Sequence, residues 1–151
     1  MTTDIDNVSD NSRTLRLLSV DSLTLGVPEK AILAIAEWTE PTPLPFAPPT
    51  VLGIVSVHGR MITVIDLKSL LGRKSIGQSR SIIALRGNEQ LGLAVDRVLD
   101  SVTVKDDEIT KSESDLIEAT VHLNGEEVLL LDINSVFAGA MRGRERRRRR
   151  L

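Results

Sequence analysis

Gly53-Ile54-Val55-Ser56-Val57-His58-Gly59-Arg60-Met61-Ile62-Thr63-Val64-Ile65-Asp66-Leu67 is the stretch that decides the fold class. Two apolar runs rich in β-branched residues flank a His-Gly pair, so the stretch reads as a β-hairpin. Residues 67–71 then predict a short helix closed by Gly72. Asp66 stands where its carboxylate would cap that helix, and capping is a plainer role for it than catalysis. A looser copy lies downstream. Val121-His122-Leu123, a turn, and Val128-Leu129-Leu130-Leu131-Asp132-Ile133 repeat the order of strand, turn, strand, Asp and helix start. The turn of this copy holds Asn124-Gly125, a pair suited to positive φ at both central positions.

Shorter strands surround these two hairpins. Leu15, Leu17 and Leu18 open a strand that Asp21-Ser22 interrupts, and residues 23–27 return as its partner. Pro28-Glu29-Lys30 marks a break with a short helical turn. Residues 31–38 fit helix and strand equally well by periodicity. Residues 39–50 hold Pro41, Pro43, Pro45, Pro48 and Pro49, hence an extended loop that cannot donate to a ladder. Residues 81–85 and 91–95 predict another hairpin around Gly87-Asn88, after a polar loop over 73–80. Residues 97–104 predict a strand with Val98, Val102 and Val104 on one face. Residues 105–116 read as a polar, acidic connection. Residues 133–141 predict a terminal helix that turns Ile133, Val136 and Phe137 inward. Nine or ten short strands with few helices argue for a mainly β barrel or sandwich.

The chain has 151 residues, 41% of them hydrophobic, which suits one domain or two small ones sharing a core. It has no cysteine, so disulfides, thiolate metal sites and a cysteine nucleophile are excluded. No apolar run reaches the roughly 18 residues of a membrane span. The polar, acidic start lacks signal-peptide chemistry, and the expected location is the cytoplasm. The net charge of −2 conceals an asymmetry. Residues 142–151 carry seven Arg and one Glu, while the rest carries 12 basic and 20 acidic side chains. Such a tail suits nucleic acid, anionic lipid or an acidic protein face, although a solvated extension is the plainer reading. The acidic body has three aromatic residues and no basic surface on which bases would stack.

Motifs of catalysis are missing from the sequence. His58 and His122 stand in no metal-ligand spacing, and ordinary structural or surface roles suit both. There is no GxSxG elbow and no GxxxxGK[ST] phosphate loop. Asp106-Asp107-Glu108 lacks the spacing of a calcium loop and suits a surface helical turn. Nothing selects one carboxylate pair as general acid and base, so an enzyme reading has no residues to stand on.

Three segments in order carry a family resemblance. The stretch from Gly53 to Leu67 resembles the signature hairpin of the CheW-like family, G-x-x-N-x-R-G followed by P-[VI]-[VI]-D-L. Leu91-Gly92-Leu93-Ala94-Val95-Asp96-Arg97-Val98 resembles its G-[LI]-x-V-D-x-V stretch, and residues 128–137 resemble its closing strand and helix. The resemblance covers residues 15–141. It implies a mainly β fold of two five-stranded SH3-like β-barrel subdomains packed together, with short helices and a C-terminal helix. The first subdomain would span roughly 31–85. The second would take mostly 15–30 with 86–132, between a disordered leader (1–13) and the Arg-rich tail (142–151).

The resemblance also implies a non-catalytic adaptor in the cytoplasm, associated with membrane-bound receptor arrays. It would couple the cytoplasmic tip of a methyl-accepting chemoreceptor to a CheA-type histidine kinase, with no cofactor, metal or small-molecule substrate. The positions that match the family's receptor groove are Ile32, Gly53, His58, Val98 and Leu99. For Ile32, Val98 and Leu99 a plain core role is the competing reading. The sequence departs from the pattern at three points: His58 replaces the family's Arg, Ser56 its Asn and Thr63 its Pro. Neutral imidazole offers neither the permanent charge nor the forked donors of Arg. The alternative is therefore a divergent CheW-like binding module in a non-chemotaxis pathway, its tail contacting nucleic acid or anionic membrane.

Overall fold

Strands with two buried faces organise the molecule. In the computed structural model, which describes residues 11–73, 79–87, 90–112 and 114–140, eleven strands form two sheets. The strands are β1 Ser12–Val20, β2 Leu23–Pro28, β3 Ile32–Glu37, β4 Val51–Val57, β5 Arg60–Asp66, β6 Ser81–Leu85, β7 Leu91–Val95, β8 Arg97–Lys105, β9 Ile109–Lys111, β10 Ile117–Leu123 and β11 Glu126–Leu131. Helix α1 is Leu67–Leu70, and helix α2 covers 133–140. Short 3-10 turns lie at Glu29–Ala31 and Asp106–Glu108. One sheet runs β8-β1-β2-β11-β10-β9 and the other β3-β6-β7-β5-β4.

Each sheet curls into a small barrel. In the five-stranded sheet the end strands β3 and β4 share one core, where Leu33, Ala36 and Trp38 pack with Val55, Val57, Ile62, Val64, Ile82 and Ala94. In the six-stranded sheet, Val104 of β8 meets Val121 of β10 and Ile109 of β9, around Leu15, Ala119, Val128 and Leu130. The alternate residues of the same strands point the other way. Leu18, Val20, Leu25, Val27, Ile65, Leu67, Ile83, Leu85, Leu91, Leu93, Val95 and Leu131 form a third core between the barrels, which α2 joins through Val136 and Ala140. A strand buried on both faces loses the alternation of apolar and polar residues. That is why β6 and β7 read as unbroken apolar runs. The two-barrel, mainly β architecture expected from the sequence is the observed one, with six strands in the second barrel.

The two barrels are built alike, and positions 66 residues apart correspond. Gly26 matches Gly92, Ile32 matches Val98, Gly59 matches Gly125 and Asp66 matches Asp132. Strand β2 pairs antiparallel with β1 and parallel with β11, just as β7 pairs antiparallel with β6 and parallel with β5. Bulges recur at Val51/Gly53 and Ile117/Ala119. The hairpins are exchanged between the halves: β1–β2 sits with β8, β10 and β11, while β6–β7 sits with β3, β4 and β5.

That exchange corrects the expected boundary. Residues 91–95 belong to the middle of the first barrel's sheet, not to the second subdomain. Strand β1 begins at Ser12, because Arg13 and Thr14 pair with Val104 and Thr103. The stretch read as a connection contains β9, whose three residues complete the second sheet beside β10. The ambiguous segment at 31–38 is strand β3, paired to β6. Both caps form as expected: Asp66 Oδ1 accepts from the Ser69 N–H and Asp132 Oδ1 from the Ser135 N–H, each at 3.3 Å. The tail at 142–151 and residues 1–10 of the expected leader lie outside the described residues.

Candidate functional site

Ile32 opens β3 and Val98 lies near the start of β8, at corresponding positions of the two halves. Both strands are outermost in their sheets. Ile32 is 8% exposed within the core between the barrels, and half-buried Val98 packs against that same core. Each strand then bulges. On β3 the register shifts between Ile32 and Ala34, and on β8 between Val98 and Ser101, opposite Leu18 and Arg16. Leu99, half-buried, sits in the second bulge. A bulge bends its strand and re-aims side chains, so it suits the lip of a groove. Ile32 and Val98 thus both contribute to the apolar seam between the barrels, whereas Leu99, next in sequence, is not among the residues packed there.

Gly53 and His58 lie on β4 and its turn, and neither joins that cluster. Gly53 is buried at φ +144°, and a Cβ there would stand 2.2 Å from the Thr42 carbonyl oxygen. Thr42 and Ile54 exchange both backbone hydrogen bonds at 2.9 Å, so the Pro-rich loop lies directly over this glycine. His58 is exposed at the turn, with φ 50° and Gly59 at φ 80°; Asn124 and Gly125 repeat this geometry at 52° and 82°. Among the described residues, no hydrogen bond or ion pair involves the His58 ring. His122 is exposed on β10 across from Glu127. Among the described residues no group of His, Cys, Asp and Glu could hold a metal ion.

Two polar networks border the seam, and neither was expected. Arg16 interrupts the apolar run of β1. Its Nε and Nη2 donate to Glu29 Oε1 and Oε2, each at 3.1 Å, and its Nη1 donates to the Leu99 carbonyl at 3.1 Å. The Ser101 hydroxyl donates to Glu29 Oε1 at 2.5 Å. The Ser101 hydrogen bond first, then the Arg16 guanidinium, hold the Glu29 carboxyl below the usual carboxylate range. The second network joins the barrels. Lys68 of α1 is 3% exposed, and its Nζ lies 3.0 Å from Asp96 Oδ1. Asp96 Oδ2 accepts from the Asp21 N–H at 2.7 Å, and the Asp96 N–H donates to the Ser19 carbonyl. An Arg within a strand of leucines was the one visible sign of the first network. The second joins residues too far apart in sequence to be paired by eye.

A model of the CheW-like domain matches residues 15–141. The chain belongs to the CheW-like family. This membership places it among the adaptor proteins of chemotaxis. It is 28% identical over 147 residues to a chemotaxis protein CheW of Rhizobium meliloti, covering 91% of this chain and 95% of that one. It is 27% identical over 116 residues to a chemotaxis protein CheW of Bacillus subtilis, covering 70% and 74%. The fold matches the crystal structure of the scaffolding protein TtCheW from Thermoanaerobacter tengcongensis with a TM-score of 0.77. That match covers 83% of this chain and 92% of the other at 21% identity. No helix among the described residues of this CheW-like chain is long and apolar enough to cross a membrane.

An exposed apolar surface lies elsewhere on the first barrel. Phe46 is 91% and Met61 59% exposed, beside Leu44. Leu44, Ile54 and Met61 line a shallow depression with Thr42 and Ser56. Surface of this kind, around a proline-stiffened loop, is characteristic of protein contact.

Proposed function

We propose that this CheW-like chain is a non-catalytic adaptor in the cytoplasm that couples a chemoreceptor's cytoplasmic tip to a CheA-type histidine kinase. The observation that carries the reading is the seam between the barrels, where Ile32 and Val98 from equivalent edge strands flank one apolar core. An amphipathic receptor helix presents apolar residues at three- and four-residue spacing, and a groove of this form receives such a face. The exposed Leu44, Phe46 and Met61 at the first barrel offer a separate surface for the kinase. An adaptor needs two such surfaces, because it must hold both partners at once.

The test is recruitment. The full chain, and a chain lacking residues 142–151, are offered to purified receptor tips and CheA-type kinases. Both are expected to bind. Val98→Glu is expected to stay folded by circular dichroism and to lose the receptor tip while keeping the kinase. Ile32→Glu places a charge in the core and is expected to lower stability as well. A folded Val98→Glu protein with undiminished receptor binding removes the groove from the reading. Binding of nucleic acid or anionic vesicles through the tail, with neither protein partner captured, removes the adaptor.

A further inference from the structure

Beyond the apolar seam, the face of the second barrel that meets the first continues outward as a polar row. Leu18 and Val20 of β1 point into the core between the barrels, and Arg16 lies on that same face one step further out. Val27 of β2 does likewise, and Glu29 follows it by two residues. Ser101 of β8 is the register partner of Arg16. The row therefore crosses three chain segments in the order Ser101, Arg16, Glu29. It opens onto a depression of about 700 Å³ lined by Ser12, Thr14, Glu29 and Lys30 among others.

The connections of this row are directional. A bulge leaves a backbone carbonyl outside the ladder, and Arg16 Nη1 takes up that of Leu99. The other two donors of the guanidinium that are in use grip both oxygens of Glu29. Glu29 starts the 3-10 turn Glu29–Ala31 that leads straight into Ile32. One planar fork thus ties the bulge carrying Leu99, on the second barrel, to the turn that delivers Ile32 to the first. Bidentate Arg–carboxylate geometry fixes orientation as well as distance, which a lysine's point charge does not. The pair is partly exposed, at 27% and 36% of the two side chains, so its contribution to global stability is small.

We propose that Arg16 and Glu29 are positioning residues for partner binding, holding the two lips of the seam at Leu99 and Ile32 in register for an incoming helix. This inference rests on the groove reading above. Its test uses the full chain and, as probe, a purified soluble fragment of a chemoreceptor's cytoplasmic helical hairpin. Binding is measured by calorimetry and folding by thermal melts, for Arg16→Lys, Glu29→Gln, Leu99→Ala, Val98→Glu and the Arg16→Lys/Leu99→Ala double variant.

Arg16→Lys and Glu29→Gln are each expected to weaken binding roughly tenfold, with melting close to the parent's. The double variant is expected to lose less than the sum of its two singles, because Arg16 acts in part through Leu99. Parental affinity in both Arg16→Lys and Glu29→Gln, with Leu99→Ala or Val98→Glu weakened, overturns the clamp and leaves the groove standing. So does a loss that merely tracks lowered melting, or one that adds fully to that of Leu99→Ala. Folded Leu99→Ala and Val98→Glu proteins with parental affinity, or a parent that does not bind the fragment, bring down the groove and the clamp together.

Discussion

Asp96→Asn isolates the ion pair that joins the two barrels. The Lys68 side chain is 4% exposed and that of Asp96 24%, so the burden of a broken pair falls on the ammonium. Removing one member of a buried pair costs about 3–5 kcal/mol, because the other charge stays desolvated. Asp96 is partly wet, which places the expected loss near the lower end, about 3 kcal/mol. For a chain of this size each kcal/mol lowers the melting temperature by roughly 2–4 °C, so the variant is expected to melt about 6–12 °C below the parent. A double variant, Lys68→Met with Asp96→Leu, removes both charges. It still loses the acceptor for the Asp21 N–H, worth about 1 kcal/mol. Its loss is nonetheless expected to be smaller than that of Asp96→Asn. Thermal melts by circular dichroism at one pH and salt concentration read Asp96→Asn, the double variant and its two singles, Lys68→Met and Asp96→Leu. An Asp96→Asn protein melting within about 2 °C of the parent refutes the reasoning, and so does a double variant whose loss equals the sum of its two singles.

Three further outcomes are expected. Gly53→Ala forces a Cβ against the Thr42 carbonyl at positive φ, and a loss of about 2 kcal/mol or more is expected in urea unfolding. Glu29 has a carboxyl held below its ordinary range, so its contribution is full above that range and fades as pH falls through the depressed value. A small melting difference between parent and Glu29→Gln at neutral pH is therefore expected to shrink as the pH falls below the ordinary carboxylate range. Trp38, the single tryptophan, packs against the core of the first barrel alone. The exchanged hairpins make each barrel depend on the other half, so melts followed by Trp38 fluorescence and by far-ultraviolet circular dichroism are expected to coincide; separate midpoints would show two independent barrels.

The parts of the fold legible in sequence were those specified locally. The turn at Asn124-Gly125 declares its backbone geometry through residue type, and Asp66 and Asp132 declare helix starts through capping chemistry. The repeated order of strand, turn, strand and Asp was visible because local chemistry recurs in it. The partition of strands between sheets was not legible. Residues 91–95 have both faces buried, and an unbroken apolar run does not say which neighbour covers which face. Strand β9, only three residues long and mostly exposed, carries no apolar pattern at all. The proposed site was legible only where single residues matched a family pattern. That matching set Gly53 beside Ile32 and Val98, although Gly53 serves the contact with the Pro-rich loop. The Arg16–Glu29 fork is not legible in the sequence, because it depends on a bulge at Leu99 that no local signal announces.

The exchange of hairpins gives a physical reason for a groove at this place. Strand β2 leads out of the second barrel directly into β3 of the first, and β7 leads out of the first directly into β8 of the second. The chain therefore crosses between barrels twice, at equivalent points, and Ile32 and Val98 are the residues that follow the two crossings. Each crossing strand is outermost in its sheet and must bend to pass from one barrel to the next, which the bulges at 32–34 and 98–101 accomplish. Apolar residues are required there, because the core between the barrels ends against them. At these equivalent positions Ile32 is buried, 8% exposed, and Val98 half-buried. A partly covered apolar seam is thus a consequence of building two barrels by exchange. The charged residues around it differ between the halves, with Asp96 corresponding to Lys30 and Lys68 to Asn134. Backbone symmetry makes the seam, and under the proposed function the unequal side chains would let it distinguish the two directions in which a helix could lie along it.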